Sequence, residues 1–213
     1  MGDKYKLFLW VVILFLSMSV HAQCPDMGKP KLDITFKYGK IFYVNDKSSK
    51  DFPGEPYSSV MGLTVTNLKN TVSGSVKVQQ IGRDSYCFLL SKLNVEIGFP
   101  RIDIYIDKKY RPGSCNYKVI KEHENYHARV HQEGLKFFSK KIEKAYQIAL
   151  NKLRPVEFQS EQGAQQISLQ MIKQVEQDVQ PLLDYVQKRL TEENLVIDTN
   201  SSYEAESKRC PEW

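Results

Sequence analysis

The stretch Ile120–Ala149, IKEHENYHARVHQEGLKFFSKKIEKAYQIA, decides how this chain is read. Ile120, Glu124, His127, His131, Gly134, Phe138, Ile142, Ala145 and Ala149 recur every three or four residues, which is the spacing of one face of an α-helix. That face is expected to turn inward. Lys136, Lys140, Lys141 and Lys144 read as the solvated side. Ser114 or Asn116 can cap the helix at its start, and Pro155 closes it.

The same stretch holds three of the four histidines of the chain, the other being His21. His123-Glu124-Asn125-Tyr126-His127 is an HExxH sequence. Residues four apart on a helix stack on one face, about 6 Å apart along the axis. Two imidazoles so placed, His123 and His127, can hold one Zn²⁺, and Glu124 can reach a water beside it. A bound zinc acidifies water and polarises a carbonyl, and Glu124 is the expected general base, passing the water's proton to the leaving amine. The competing reading is a helix whose histidines serve packing. Against it, a buried carboxylate and two buried imidazoles need partners, and a metal satisfies all three together.

A catalytic zinc usually takes a third protein ligand. His131 lies eight residues past His123, about 12 Å along a straight helix, too far to share the metal. It reads as a polar residue of the core or of the site's surroundings. An Asp or Glu is then expected: Glu176, Asp178 or Asp184 on a second helix, or Asp198, Glu204 or Glu206 in the tail.

Outward from this stretch, the chain reads as α+β, with an N-terminal mostly antiparallel β-sheet followed by two long packed helices. Leu32–Phe36 and Ile41–Val44 alternate as strands, and Asn45–Ser59 is a loop with Pro53, Gly54 and Pro56. Val60–Leu68 and Val72–Ser75 fit either a strand or a short helix. Ser75–Ile81, Tyr86–Ile97 and Ile102–Ile106 read as strands, the last two separated by Pro100. A second stripe (Ala164, Ile167, Met171, Val175, Val179, Leu182, Val186, Leu190) gives the second helix, with Pro181 as its bend. The expected organisation is a signal peptide over residues 1–22 and one domain over 23–213. That domain is β-rich over 30–107 and helical over 116–192, with a tail over 193–213.

Lys4 and Lys6, the apolar run Leu7–Met18 and Val20-His21-Ala22 resemble a secretory signal cleaved after Ala22. An uncleaved anchor is the alternative, although the run is short for a membrane span. Gln23 before Cys24 argues against a lipoprotein. The expected location is the periplasm or the medium, with no stable membrane insertion after cleavage. Cys24, Cys87, Cys115 and Cys210 are an even set in an exported chain, which implies two disulfides. Three pairings are possible. Cys87 with Cys115 and Cys24 with Cys210 are the expected ones. The cysteines are too scattered to read as metal ligands. The net charge of +5 is too weak to imply nucleic acid as a partner.

Tyr57, Val60, Gly62, Thr64 and Leu68 look like the Y-x-x-V-x-G-x-T-x-x-x-L opening of a bacterial domain family of unknown function described as predicted secreted zinc-dependent proteases. Cys87 with the alternating residues to Pro100 is similar to that family's central strands, His123-Glu124-x-x-His127 falls where its HExxH does, and Tyr203-Glu204-Ala205-Glu206-Ser207 resembles its Y-D-x-E-T segment. The resemblance implies metallopeptidase chemistry on a peptide or protein substrate, with Zn²⁺ on His123 and His127 and with Glu124 as base. It also draws the tail acids toward the site. Arg209 stands at about the point where the family tends to place a His, so Glu206 is taken as the expected third ligand, with Glu204, Asp198 and His131 left open. The alternative function is a non-catalytic envelope protein, a binding or scaffolding module that keeps the fold and the metal.

Overall fold

The segments on either side of Pro100 are a single strand of 21 residues in the computed structural model, which describes residues 24–53 and 60–213. Five strands, β1 (Lys31–Val44), β2 (Gly62–Thr66), β3 (Lys69–Gln80), β4 (Tyr86–Ile106) and β5 (Val156–Phe158), form one sheet with β4 as its spine. One edge of β4 carries β5 against Tyr86–Phe88 and then β1, parallel, from Lys92 to Tyr105. The other edge carries β3 from Tyr86 to Gly98 and then β2 from Ile102 to Ile106, both antiparallel. The sheet is thus mostly antiparallel with one parallel pair. The helices α1 (Cys115–Lys152), α2 (Ala164–Leu195) and α3 (Asn200–Ser207) complete an α+β fold with the HExxH sequence on α1.

Pro100 does not end β4, because β3 stops opposite Gly98 and β2 starts opposite Ile102. The missing N–H therefore breaks no ladder bond on that edge. What changes at Pro100 is parity. Leu93, Val95, Ile97 and Phe99 are buried before it and Ile102, Ile104 and Ile106 after it, while Pro100 and Arg101 are both exposed. In step with this, β1 shifts from Leu32, Ile34 and Phe36 to Ile41, paired with Leu93, Val95, Ile97 and Ile102. The shift in β1 turns on Gly39. Its φ is +78°, and a Cβ there would lie 2.8 Å from Ile102 Cγ1.

The unbroken β4 also explains the disulfides, which are Cys24–Cys87 and Cys115–Cys210 rather than the expected pairs. Cys87 is the second residue of β4 and Ile106 closes the strand shortly before α1. At about 3.3 Å per residue this puts about 60 Å of strand between Cys87 and the end from which α1 starts. Cys87 reaches the N-terminal segment, and Cys115, at the start of α1, reaches the tail.

Ser114 caps α1, its Oγ accepting from Tyr117 N at 3.2 Å. The inward face of α1 buries Ile120, Leu135, Phe138, Ile142, Tyr146 and Leu150 against the sheet and α2. Each such side chain contributes about 1.5–3 kcal/mol of transfer free energy. α2 buries Ile167, Met171, Val175, Val179, Leu183, Val186 and Leu190, so Leu183 rather than Leu182 continues the stripe past Pro181, which lies inside the helix. The ambiguous segment Val60–Leu68 is strand β2. Two short elements, β5 between the long helices and α3 in the tail, are absent from the sequence reading. Among the described residues no helix is long and apolar enough to cross a membrane. The signal segment 1–22 and Tyr57 lie outside the described residues.

Candidate metal centre

The first turns of α1 place His123, Glu124 and His127 against β2 and the tail, each less than 9 % exposed. The Nε2 atoms of His123 and His127 are 3.0 Å apart. Asp198 Oδ1 lies 3.0 Å from the first and 3.1 Å from the second. Asp198 reaches this point because the chain turns after α2 and Thr199 caps α3, its Oγ1 accepting from Ser202 N at 3.2 Å. His123, His127 and Asp198 are a group that can hold a metal ion.

The partners of the other ring nitrogens fix what this triangle offers. His123 Nδ1 is 2.8 Å from Glu206 Oε1, so Nδ1 carries the proton that this carboxylate accepts. Asn194 Nδ2 donates to Leu190 O at 2.8 Å, which leaves Asn194 Oδ1 to accept from His127 Nδ1, also at 2.8 Å. With both Nδ1 atoms protonated, each neutral imidazole turns an Nε2 lone pair toward the other and toward a carboxylate oxygen. These three atoms, 3.0–3.1 Å apart, can share a metal ion or be bridged by protons. The spacing fits a metal ion, since ligands 2.0–2.1 Å from a tetrahedral zinc are about 3.3 Å from each other.

Without a metal, protons take that role. Burial pushes the His123 imidazolium down, but the carboxylates of Asp198 and Glu206 outweigh it and raise its pKa to about 9. His127 is raised too, burial being outweighed by Asp198 and Asn194. Asp198 is held far below the usual carboxylate range, its partial burial being overcome by the two histidines and by Tyr203. The Tyr203 hydroxyl donates to Asp198 Oδ1 at 2.8 Å, and its ring stacks on His123 with centroids 5.5 Å apart. Burial and the Asp198 carboxylate keep that phenol protonated.

Glu124 packs against β2 and lines a cleft shared with the tail. Burial pushes its carboxyl pKa up. Thr64 Oγ1 lies 2.8 Å from Glu124 Oε2 and 2.9 Å from Glu124 O, and its single proton serves one of them at a time. Gly62 permits the contact, because a Cβ there would stand 2.6 Å from both Glu124 Oε1 and Ile120 Cγ2. The result is a buried carboxyl group beside His123 and His127, with the Thr64 hydroxyl to steady it.

The structure brings His123, Glu124, His127 and Glu206 together but gives Glu206 a different place from the expected one. Glu206 binds the far nitrogen of His123, and Asp198 meets both Nε2 atoms. His131 stands outside the triangle: its Nε2 is 3.3 Å from Asn194 Nδ2, its ring is edge-on to Phe99, and its pKa is lowered to about 4 by burial and then by His127. Asp178 pairs with Lys152 and Asp184 accepts from Gln180, both away from the site, and Glu204 is exposed. Thr64, Asn194 and Tyr203 are site residues that sequence reasoning gave no role. For Asp198 a local signal existed: it directly precedes a Thr that can cap a helix. No family model matches this chain, and no curated protein or solved structure matches it.

Proposed function

We propose that this protein is an exported zinc-dependent metallopeptidase, with His123, His127 and Asp198 holding the metal and Glu124 as general base. The observation that carries the reading is the convergence of three lone-pair donors beside a buried carboxyl group on the same turn of α1. A histidine pair serving packing alone needs neither the carboxylate at both Nε2 atoms nor acceptors fixed on both Nδ1 atoms. Two disulfides suit an oxidising compartment.

Zinc bound by this set supplies an acidified water and a polarised substrate carbonyl. The protein's own groups do the rest. Glu124 accepts a proton as the water oxygen attacks the carbonyl carbon. It then delivers that proton to the amide nitrogen as the C–N bond breaks, leaving a carboxylic acid and an amine. Its raised pKa, set by burial, brings it nearer the range where it can both take and give a proton. Glu206 and Asn194 hold the two imidazoles in the metal-binding tautomer. Tyr203 steadies Asp198 and closes one side of the site.

The test is hydrolysis of an unfolded protein substrate by zinc-loaded wild type and by Glu124→Gln. Cleavage by wild type, lost in Glu124→Gln while both bind one zinc, supports the reading. Zinc bound with no cleavage by wild type favours a non-catalytic protein that keeps the metal.

A further inference from the structure

Two clefts open on His123, one on each side of α3, and they differ in chemistry. The one away from Glu124 has a volume of about 590 Å³ and is lined by charged groups, among them Glu122, Arg129, Glu193 and Arg209. The one on the Glu124 side has a volume of about 530 Å³. His123 and Glu124 line it, and Val60, Met61, Ile120 and Trp213 give it apolar walls. We infer that this second cleft is the specificity pocket of the site and receives an apolar side chain of a peptide, next to the bond that is cleaved. The inference rests on the metallopeptidase reading.

Its position is the first support. A group seated between Met61 and Trp213 brings its attached backbone against His123 and Glu124, the same groups that meet the carbonyl and the water. The second is that the apolar walls are held in place. Trp213 is 43 % exposed, yet its Nε1–H donates to Ser207 O at 2.7 Å and its ring stands edge-on to Tyr110. Asn116 Nδ2 donates to Glu212 O at 2.6 Å beside it. Met61 O accepts from Asp107 N at 3.0 Å, which fixes the start of β2. An indole at the surface, tied down by two partners and facing a catalytic carboxyl group, has a fixed shape to offer a ligand. The third is charge. The ionisable groups of the cleft, His123, Glu124, Tyr203 and Glu206, all lie on the side of the metal centre, and neither carboxyl group welcomes an acidic side chain.

The experiment uses the zinc-loaded protein and calorimetric binding of a peptidyl hydroxamate series identical but for one side chain beside the chelating group: Leu, Ala, Lys or Glu. Acetohydroxamate, which has no side chain, reports the metal alone. The Leu probe should bind about tenfold or more tighter than the Ala probe, with Lys and Glu weaker than Leu. Trp213→Ala should reduce the Leu-to-Ala binding ratio several-fold, with acetohydroxamate reporting separately any change at the metal that follows from loosening the tail. Acetohydroxamate binding with Leu and Ala within about twofold of each other, or a Leu preference untouched by Trp213→Ala, overturns the pocket and leaves the metal centre standing. A best-bound Lys or Glu probe overturns it as well. Failure of the protein to bind zinc and acetohydroxamate at all overturns the metallopeptidase reading and the pocket with it.

Discussion

Replacing Cys115 and Cys210 together by Ser should loosen the metal far more than replacing Cys24 and Cys87. The tail supplies Asp198, Tyr203 and Glu206 to the site, yet within residues 196–213 only Cys210 is buried, and α3 buries nothing. Apart from the site itself, the tail is held by the Cys115–Cys210 bond, by Arg209 on Glu122 at 2.6 Å, by Asn116 on Glu212 O, and by the Trp213 ring on Tyr110. The two disulfides span 63 and 95 residues, so the chain-entropy model gives each pair a similar global cost of about 4–5 kcal/mol. Their local effects differ. Without Cys115–Cys210, the run of about 15 residues from the end of α2 to position 210 becomes a free end, and fixing a loop of that length costs about 3 kcal/mol. If metal binding must supply that ordering, zinc affinity falls by up to about 100-fold. Zinc competition against a chromophoric chelator, in conditions where circular dichroism shows both double variants folded, reads the difference. Equal loss of affinity in both variants, or no loss in the Cys115/Cys210 variant, would refute the reasoning that this bond holds the tail over the site.

Zinc must displace the proton that His123 holds up to a pH of about 9, so zinc affinity should rise with pH through that range. Calorimetry in two buffers of different ionisation enthalpy should show proton release at pH 7, and none would contradict the donor triangle. In the metal-free chain the His123 pKa is raised from 6.5 to about 9. The stability this adds is therefore present in full below pH 6.5 and lost as pH climbs through 9. It is on the order of 3 kcal/mol and is measurable by urea unfolding at the two pH values. Thr64→Val removes the hydroxyl that lowers the Glu124 pKa, so the acidic limb of the activity profile should move to higher pH with zinc content unchanged. Gly62→Ala puts a methyl 2.6 Å from Glu124 Oε1. It should lower kcat/KM by about tenfold or more while zinc stays bound, and unaltered kinetics would show that the contact does not position the base.

The long helices were legible because their apolar stripes run for many turns, and of the two expected caps of α1 it is Ser114 that serves, with Pro155 just past its end. The HExxH sequence and its inward face were legible for the same reason. Pro100 misled, because a proline inside a strand reads as a break unless the partner strands are known to change at that point. The length of β4 also sets Cys87 far from Cys115, so the expected pairs do not form and Cys24–Cys87 and Cys115–Cys210 do. The third arm of the triangle lay beyond sequence reasoning for another reason. Asp198 and Glu206 are both acids of one short tail, and only the folded path of that tail decides which meets the Nε2 atoms and which the Nδ1. Asn194 fixes the His127 tautomer from the last turn of α2, a contact 67 residues away in sequence that no local pattern announces.

His123, His127 and Asp198 together should bind one zinc ion. The most direct measurement is an anomalous difference map at the zinc absorption edge from crystals of the zinc-loaded protein. One peak is expected about 2 Å from the Nε2 atoms of both histidines and from an Asp198 carboxylate oxygen, with Glu206 still on His123 Nδ1. No peak between the two imidazoles, or a zinc that Asp198 does not touch, would contradict it.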